Sequence, residues 1–567
     1  MISRKRLAPL SVLTLSLLLV LSSCASQLKP LDARQVSVDP QPLVLQGGKV
    51  PVSITINFPQ KWMHKRAEIK ITPVLKYATG QAWGSTYSFQ GEEVRGNATT
   101  IRYNQGGSAI LHSDFDYTPE MQKSELYLMF SVKIGNKSQE LADVKIGEGV
   151  VATEALASAD YVTPAIAPDV FQRVLREQYD ANIHFLIQQA SLRQSETNSE
   201  EVEEWRGIVE SAHITPNQKV DVEVQAYASP DGGRDLNEKL AAERERNTTR
   251  YLERELSRAK VDAPVAAHYT AQDWEGFKQL VEKSDIQDKE LVLRVLSMYN
   301  DPEIREREIK NISTVFSQLA DEILPQLRRS RLVANIQIIG KSDEEIAQLS
   351  ASQPQTLTVE ELLYSATLTD DPKAQERIYL NTTSYYPRDA RAFNNLGVLA
   401  LQNKDLRKAE GYFIKADEVA RAAGKSLQET KLNQGIIELH RGNVERAQEL
   451  IGQAGNVPEL DETLGLMLMK QGKYVEAAKY LYNTATNNGV LAQILNKDYA
   501  RAEELLEQIT NPDAQTHYLR AIIAARTGDS STVRSALTSA TQLDPALQEH
   551  LAKDREFVKY LSNGQLR

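Results

Sequence analysis

A chain of 567 residues is long enough for about three or four domains, each able to bury its own core. Apolar residues make up 41% and charged residues 25%, which excludes a wholly disordered chain or a bundle of membrane helices. A net charge of -10 argues against a general attraction to nucleic acid, because phosphate binding needs an excess of lysine and arginine, so no nucleic-acid partner is expected.

Arg4, Lys5 and Arg6 precede an uncharged run, "LAPLSVLTLSLLLVLSS", the order of a secretory signal. That run is too short and too near the terminus to read as a membrane span. The single cysteine, Cys24, follows it directly. Leu21-Ser22-Ser23-Cys24 resembles the lipobox of bacterial lipoproteins, which implies removal of residues 1–23 and acylation of Cys24. At about 0.8 kcal/mol per buried CH₂, three acyl chains would hold the protein on a bilayer. Ala25 and Ser26 stand where an aspartate would resemble an inner-membrane retention signal, so the resemblance implies a lipid anchor in the outer membrane, facing the periplasm. Residues 24–37 read as a polar tether.

The next segment, 38–147, is rich in strand patterns. "VPVSITINF" alternates, with Val50, Val52, Ile54, Ile56 and Phe58 on one face and Ser53, Thr55 and Asn57 on the other. "AEIKITPVLKY", "STYSFQG", "TTIRYN" and "ELYLMFSVKIG" are further strands between Gly, Pro and Asn turns, and together they predict an immunoglobulin-like β-sandwich. Residues 148–168, rich in Ala, Val and Pro, read as a linker.

Residues 169–342 read as an α/β domain. "IHFLIQQASLR" predicts a strand entered at Ile183, and "TNSEEVEEWRGIVESA" a helix with Thr197 and Glu200 as its capping box. "KVDVEVQAYAS" is a second strand, "DLNEKLAAERERNTTRYLERELSR" a second helix, "VAAHYTA" a third strand and "RSRLVANIQIIG" a fourth, after a helical insertion over about 273–325. The turn "SPDGG" and the helix after it resemble the OmpA C-terminal-like family of peptidoglycan-binding modules. Gly232 matches the family's turn glycine, Asn237 and Leu240 the helix start, Arg244 the helix arginine and Arg331 the second arginine of the closing motif. The resemblance implies that an aspartate and Arg244 together grip the charged end of a diaminopimelate side chain. Ser229 stands at the usual aspartate position, and Asp231 is the nearest carboxylate to replace it. Ser229, Asp231, Asn237, Arg244 and Arg331 are therefore the candidate peptidoglycan-binding residues.

From 356 to 567 the pattern is helical and repeated. Gly397, Ala409 and Ala416 recur as Gly435, Ala447 and Ala454, then as Gly465 and Ala477, and finally as Ala521, Val533 and Ala540. "VLAQILNKDYARAEELLEQI" is a shortened unit. The spacing resembles the tetratricopeptide repeat, in which small residues let paired helices approach while Leu396 and Phe413 fill the space between them. One helix pair before Pro387 would bring the array to about six. A concave surface that binds a protein partner is implied, with Asn394, Asn433 and Arg441 as candidate groove residues, and Tyr412, Tyr474 and Tyr480 as packing residues.

The eight histidines are scattered, and no metal, phosphate-loop or nucleophile-elbow motif occurs, so neither an enzyme nor a metal or other cofactor is expected. Two functions fit. One is a lipid-anchored scaffold that tethers the outer membrane to peptidoglycan and docks a protein on its repeats. The other is an assembly or accessory factor of a surface, secretion or fimbrial machine that does not bind peptidoglycan.

Overall fold

The computed structural model describes residues 28–286 and 288–562. Cys24 and the signal sequence expected before it lie outside the described residues. The chain divides into two compact units, one made of residues up to Ala167 together with Pro387 onward, the other of Pro168–Tyr386.

The first unit begins with a β-rich region. Lys49–Phe58 pairs with Val36–Asp39 on one side and Gly107–Asp116 on the other, all antiparallel. A second sheet centres on Ala67–Tyr77 and Ser124–Ile134, which pair antiparallel along their whole length. The alternation read from the sequence sets the packing: Val50, Ile54 and Ile56 of the first sheet share one core with Ile69, Ile71, Leu126, Leu128 and Phe130 of the second. The strand Gly107–Asp116 escapes the sequence pattern because Ser113 takes an inward position between Leu111 and Phe115 and interrupts the apolar alternation.

The helical part of this unit, among the described residues, is five helix pairs, Ala390–Gln402 with Leu406–Ala422, Gln428–His440 with Val444–Ile451, Leu460–Lys470 with Tyr474–Tyr480, Asn487–Leu495 with Tyr499–Gln508, and Ala514–Thr527 with Ser530–Leu543, followed by the short helices Leu547–Leu551 and Val558–Ser562. The repeated small residues lie where each pair closes. A Cβ on Gly397 would meet the Phe413 ring at 2.4 Å, one on Gly435 would meet Ile451 at 2.7 Å, and one on Gly465 would meet Leu481 Cγ at 2.3 Å. Leu396 and Phe413 are buried, as the spacing predicts.

The second unit holds a four-stranded sheet in the order Val174–His184, Arg329–Ile339, Gln218–Tyr227, Val265–Thr270. The last two strands are parallel and the other neighbours antiparallel. Helices Glu200–Ile214 and Arg234–Ala259 bring Val202, Trp205, Val209, Leu252 and Leu256 into one core with the sheet residues Val222, Val224, Leu332 and Ala334. Two expectations are corrected here. The first strand is Val174–His184 and not the apolar run after Ile183, which is a loop with Leu186 and Ile187 exposed; the strand itself lies at the sheet edge and carries polar residues on both faces. The helix after it is capped by Ser199, which accepts from Val202 N, while Thr197 ends a separate short turn of helix. The insertion, from Trp274 to Leu327, is a set of short helices with its own core around Phe277, Val292, Leu319 and Leu324. Helices Val359–Ser365 and Pro372–Tyr385, expected as the first repeat pair, fall in this second unit.

The glycine contacts yield a paired expectation. Gly465→Ala overpacks the third helix pair and should lower stability by about 1–3 kcal/mol less whatever helix propensity returns. Gly411, in the helix Leu406–Ala422, has open space where its Cβ would be, so Gly411→Ala should raise stability by about 0.5–1 kcal/mol. Thermal denaturation of the two variants should shift the helical melting transition in opposite directions.

Candidate functional site

The segment read as a linker is a strap laid across the first helix of every pair, made of extended residues and two short 3-10 turns, Thr153–Leu156 and Ala159–Tyr161. An extended residue presents its N–H and C=O to the same side, and a carboxamide offers one acceptor and one donor to match them. The strap is held by three such clamps. Asn395 accepts from Ala167 N at 2.8 Å and donates to Ala167 O at 3.0 Å. Asn433 does the same for Ala165, both at 2.8 Å, and Asn488 for Ser158, at 3.1 and 2.7 Å. Asn394 donates a further bond to Ala165 O at 3.0 Å, while its own oxygen accepts from Asn433 and Thr430. Ala157, Ala159, Val162 and Ala165 join the core of the helical array.

Between the clamps Thr163 N donates to Glu462 at 2.9 Å, and before the first of them Lys470 Nζ donates to Ala157 O at 3.0 Å and Gln515 to Leu156 O at 2.9 Å. Burial pushes the Lys470 ammonium below its ordinary pKa. Tyr161 donates to Asp513 at 2.7 Å. Burial opposes ionisation of Asp513, but the bonds from Tyr161, Thr516 and Asn487 outweigh it and hold the carboxyl below the usual range. At the start of the strap, the buried Glu154 carboxylate accepts from Gly47 N at 2.7 Å, Gly48 N at 3.0 Å and the Tyr474 hydroxyl. The Thr153 hydroxyl lies between Glu556 and Arg526.

Two of the three groove residues expected from sequence therefore contact an extended segment, and that segment belongs to the same chain. Arg441 does not touch it. Its guanidinium pairs with Glu410 at 2.6 Å and Glu438 at 2.9 Å. Tyr474, expected only to pack, bonds to the strap through its hydroxyl. Asn395 and Asn488 were not singled out. An asparagine two residues before the repeat glycine stands at both Asn395 and Asn433, which was the available signal for Asn395; Asn488 follows no such spacing.

In the second unit, the turn before the long helix is also closed by the chain itself. Asn237 donates to Ser229 O and Gly232 O, both at 2.9 Å, and fixes the turn. The Ser229 hydroxyl bonds to the Asp231 carboxylate. Arg328, not foreseen, lies 3.3 Å from Asp231 and 3.3 Å from the Ser229 hydroxyl. Lys310 of the insertion donates to Asp231 O at 3.1 Å. Arg244 is 1% exposed. It donates to Gln189 O at 3.0 Å and Tyr227 O at 2.8 Å, with Leu186 O at 3.5 Å, and its guanidinium stands 4.9 Å from the Phe185 ring. Burial, with Arg328 nearby, pushes its pKa down to about 10. Arg331 turns to Asp180 at 3.0 Å on the neighbouring strand and takes no part in the turn. Ser229, Asp231 and Asn237 thus meet, Arg244 lies beneath them bonded to main chain, and Arg331 is elsewhere.

Among the described residues no group of His, Cys, Asp and Glu is placed to hold a metal ion, and no helix is long and apolar enough to cross a membrane. No family model matches the sequence, and no curated protein does. Among solved structures the chain is similar to PilF of Pseudomonas aeruginosa, at 16% identity and a TM-score of 0.28 over 38% of this chain and 100% of that one. It is also similar to a tetratricopeptide repeat protein from Parabacteroides merdae, at 14% identity and 0.19 over 49% and 99%, and to yeast Tom70, at 10% and 0.24 over 56% and 72%. At such scores the assignment of the repeat rests on the helix pairs and their closing glycines.

Asn433→Ala leaves the buried Ala165 N–H without an acceptor and should cost about 1–3 kcal/mol. Arg441→Ala removes partly exposed ion pairs and should stay within about 1 kcal/mol of wild type. Denaturant titration of both variants gives the comparison, and equal losses would contradict the assignment of Asn433 to the strap and Arg441 to the surface.

Proposed function

We propose that this chain is a lipid-anchored scaffold of the cell envelope, an assembly or accessory factor that docks a protein partner through its helical repeats and does not bind peptidoglycan through its α/β unit. The fold reading that accompanies it takes the N-terminal region as an immunoglobulin-like sandwich and the α/β unit as OmpA-like. Two sheets packed on one core support the first, and the order strand, helix, strand, helix, strand, insertion, strand supports the second. The lipobox at Cys24 supports the anchor and the outer-membrane location.

One observation carries the choice against a peptidoglycan tether. The arginine that would grip a ligand carboxylate is buried and donates to main-chain carbonyls, and the carboxylate that would face an ammonium is already paired with Arg328. A ligand would have to break an internal pair whose loss leaves a buried charge uncompensated, at several kcal/mol.

The lipid-free protein mixed with purified sacculi should stay in the supernatant at low and moderate salt. Co-sedimentation that Asp231→Asn abolishes would restore the tether reading. Arg244→Ala should act on folding, lowering stability by about 2–4 kcal/mol because buried carbonyls lose their donor. For the anchor, metabolic labelling with an alkyne fatty acid should mark the wild type and not Cys24→Ala; an unlabelled wild type would sink it.

A further inference from the structure

The strap is not held in the same way along its length. Its first part, besides main-chain bonds from Asn488, Lys470 and Gln515, is locked by its own side chains: Thr153 to Glu556 and Arg526, Glu154 to the Gly47–Gly48 turn and Tyr474, and Tyr161 to Asp513. Its last part, 162–167, has one buried branched side chain, Val162, at its start and is otherwise held through main-chain atoms, by Glu462, Asn433, Asn394 and Asn395. Ala165 and Ala167 are buried, while Ile166 between them is 40% exposed. The helices there read a backbone and the absence of bulk at two alternate positions, and no side-chain identity between them. Main-chain pairing of this kind supplies affinity without demanding one sequence.

We propose that the first helices of the first three pairs are an exchangeable docking site whose resident occupant is residues 162–167, and whose partner is an extended segment of another protein with small side chains at two positions separated by one residue of any kind. The locked part anchors the strap while the far end leaves, so an incoming segment displaces six residues and not the whole strap. Six freed residues extend to roughly 20 Å. The inference rests on the scaffold reading for its partner, and the two fail separately: sacculus sedimentation reports only on the α/β unit, a peptide assay only on the groove.

The test uses the full chain and a fluorescent peptide with the sequence of residues 161–169, YVTPAIAPD. The double variant Ala165→Glu, Ala167→Glu expels the resident end by forcing two carboxylates against a buried surface. Fluorescence anisotropy should show the peptide binding this variant at least tenfold more tightly than wild type, and adding Asn433→Ala should reverse the gain. A peptide with proline in place of Ala165, which lacks the N–H, should not bind. An expelled variant with wild-type circular dichroism that takes up no peptide would overturn the proposal. Should that variant fail to fold, amide exchange in the wild type decides. The amides of Thr163, Ala165 and Ala167 should exchange at least tenfold faster than that of Ser158, and equal protection would overturn the proposal.

Discussion

An extended chain buried against helices has no neighbouring strand to take its amides and carbonyls, and leaving them unpaired costs about 1–3 kcal/mol for each group. The carboxamides of Asn395, Asn433 and Asn488 remove that cost at Ala167, Ala165 and Ser158. The rest of the first unit depends on this arrangement. Because the strap can be buried, its alanines complete the core of the helical array, and Glu154 can tie the Gly47–Gly48 turn of the β region to Tyr474 of the third helix pair.

The second unit solves the same problem with a different donor. The loop after the edge strand leaves carbonyls at Gln189 and Ala190 facing the long helix, and Arg244 and Asn247 donate to them at 3.0 and 2.8 Å. A guanidinium has five N–H donors and no acceptor, so it suits a place where several carbonyls converge. This accounts for an arginine at a position where the OmpA-like family would use one on a ligand. The residue type and spacing agree with the resemblance, while the partners are internal.

Much of the fold was legible because it follows periodicity. The strand Ala67–Tyr77 coincides with "AEIKITPVLKY", and the closing glycines at Gly397, Gly435 and Gly465 were visible as a spacing. What was not legible depends on contacts between distant residues. "VVATEALASADYVTPAIA" has the composition of a linker, and nothing local distinguishes a solvated linker from a strap whose partners lie 106 to 403 residues away. Asn394 and Asn433 were placed on the correct face by their repeat position, but their occupant was invisible. Arg441 and Arg331 fail for the opposite reason: each matches a pattern in sequence and is captured by a carboxylate on a neighbouring element, Glu410 and Asp180.

The strap also fixes when the first unit can be finished during synthesis. Domains made earlier generally fold first as the chain emerges. The β region and strap precede the whole of Pro168–Tyr386, yet the helices that cover the strap come after it. Until Asn395 and then Asn433 appear, Ala165 and Ala167 are an exposed apolar thread with unpaired amides, and the bond between Thr153 and Glu556 waits for 403 further residues. Loop-closure entropy rises only slowly with length, so the delay and not the thermodynamic cost is what matters. In that interval the thread's small apolar side chains and backbone groups are covered only by water. The helix pairs then replace it in order, the first pair closing over the end of the strap and the fifth over its beginning.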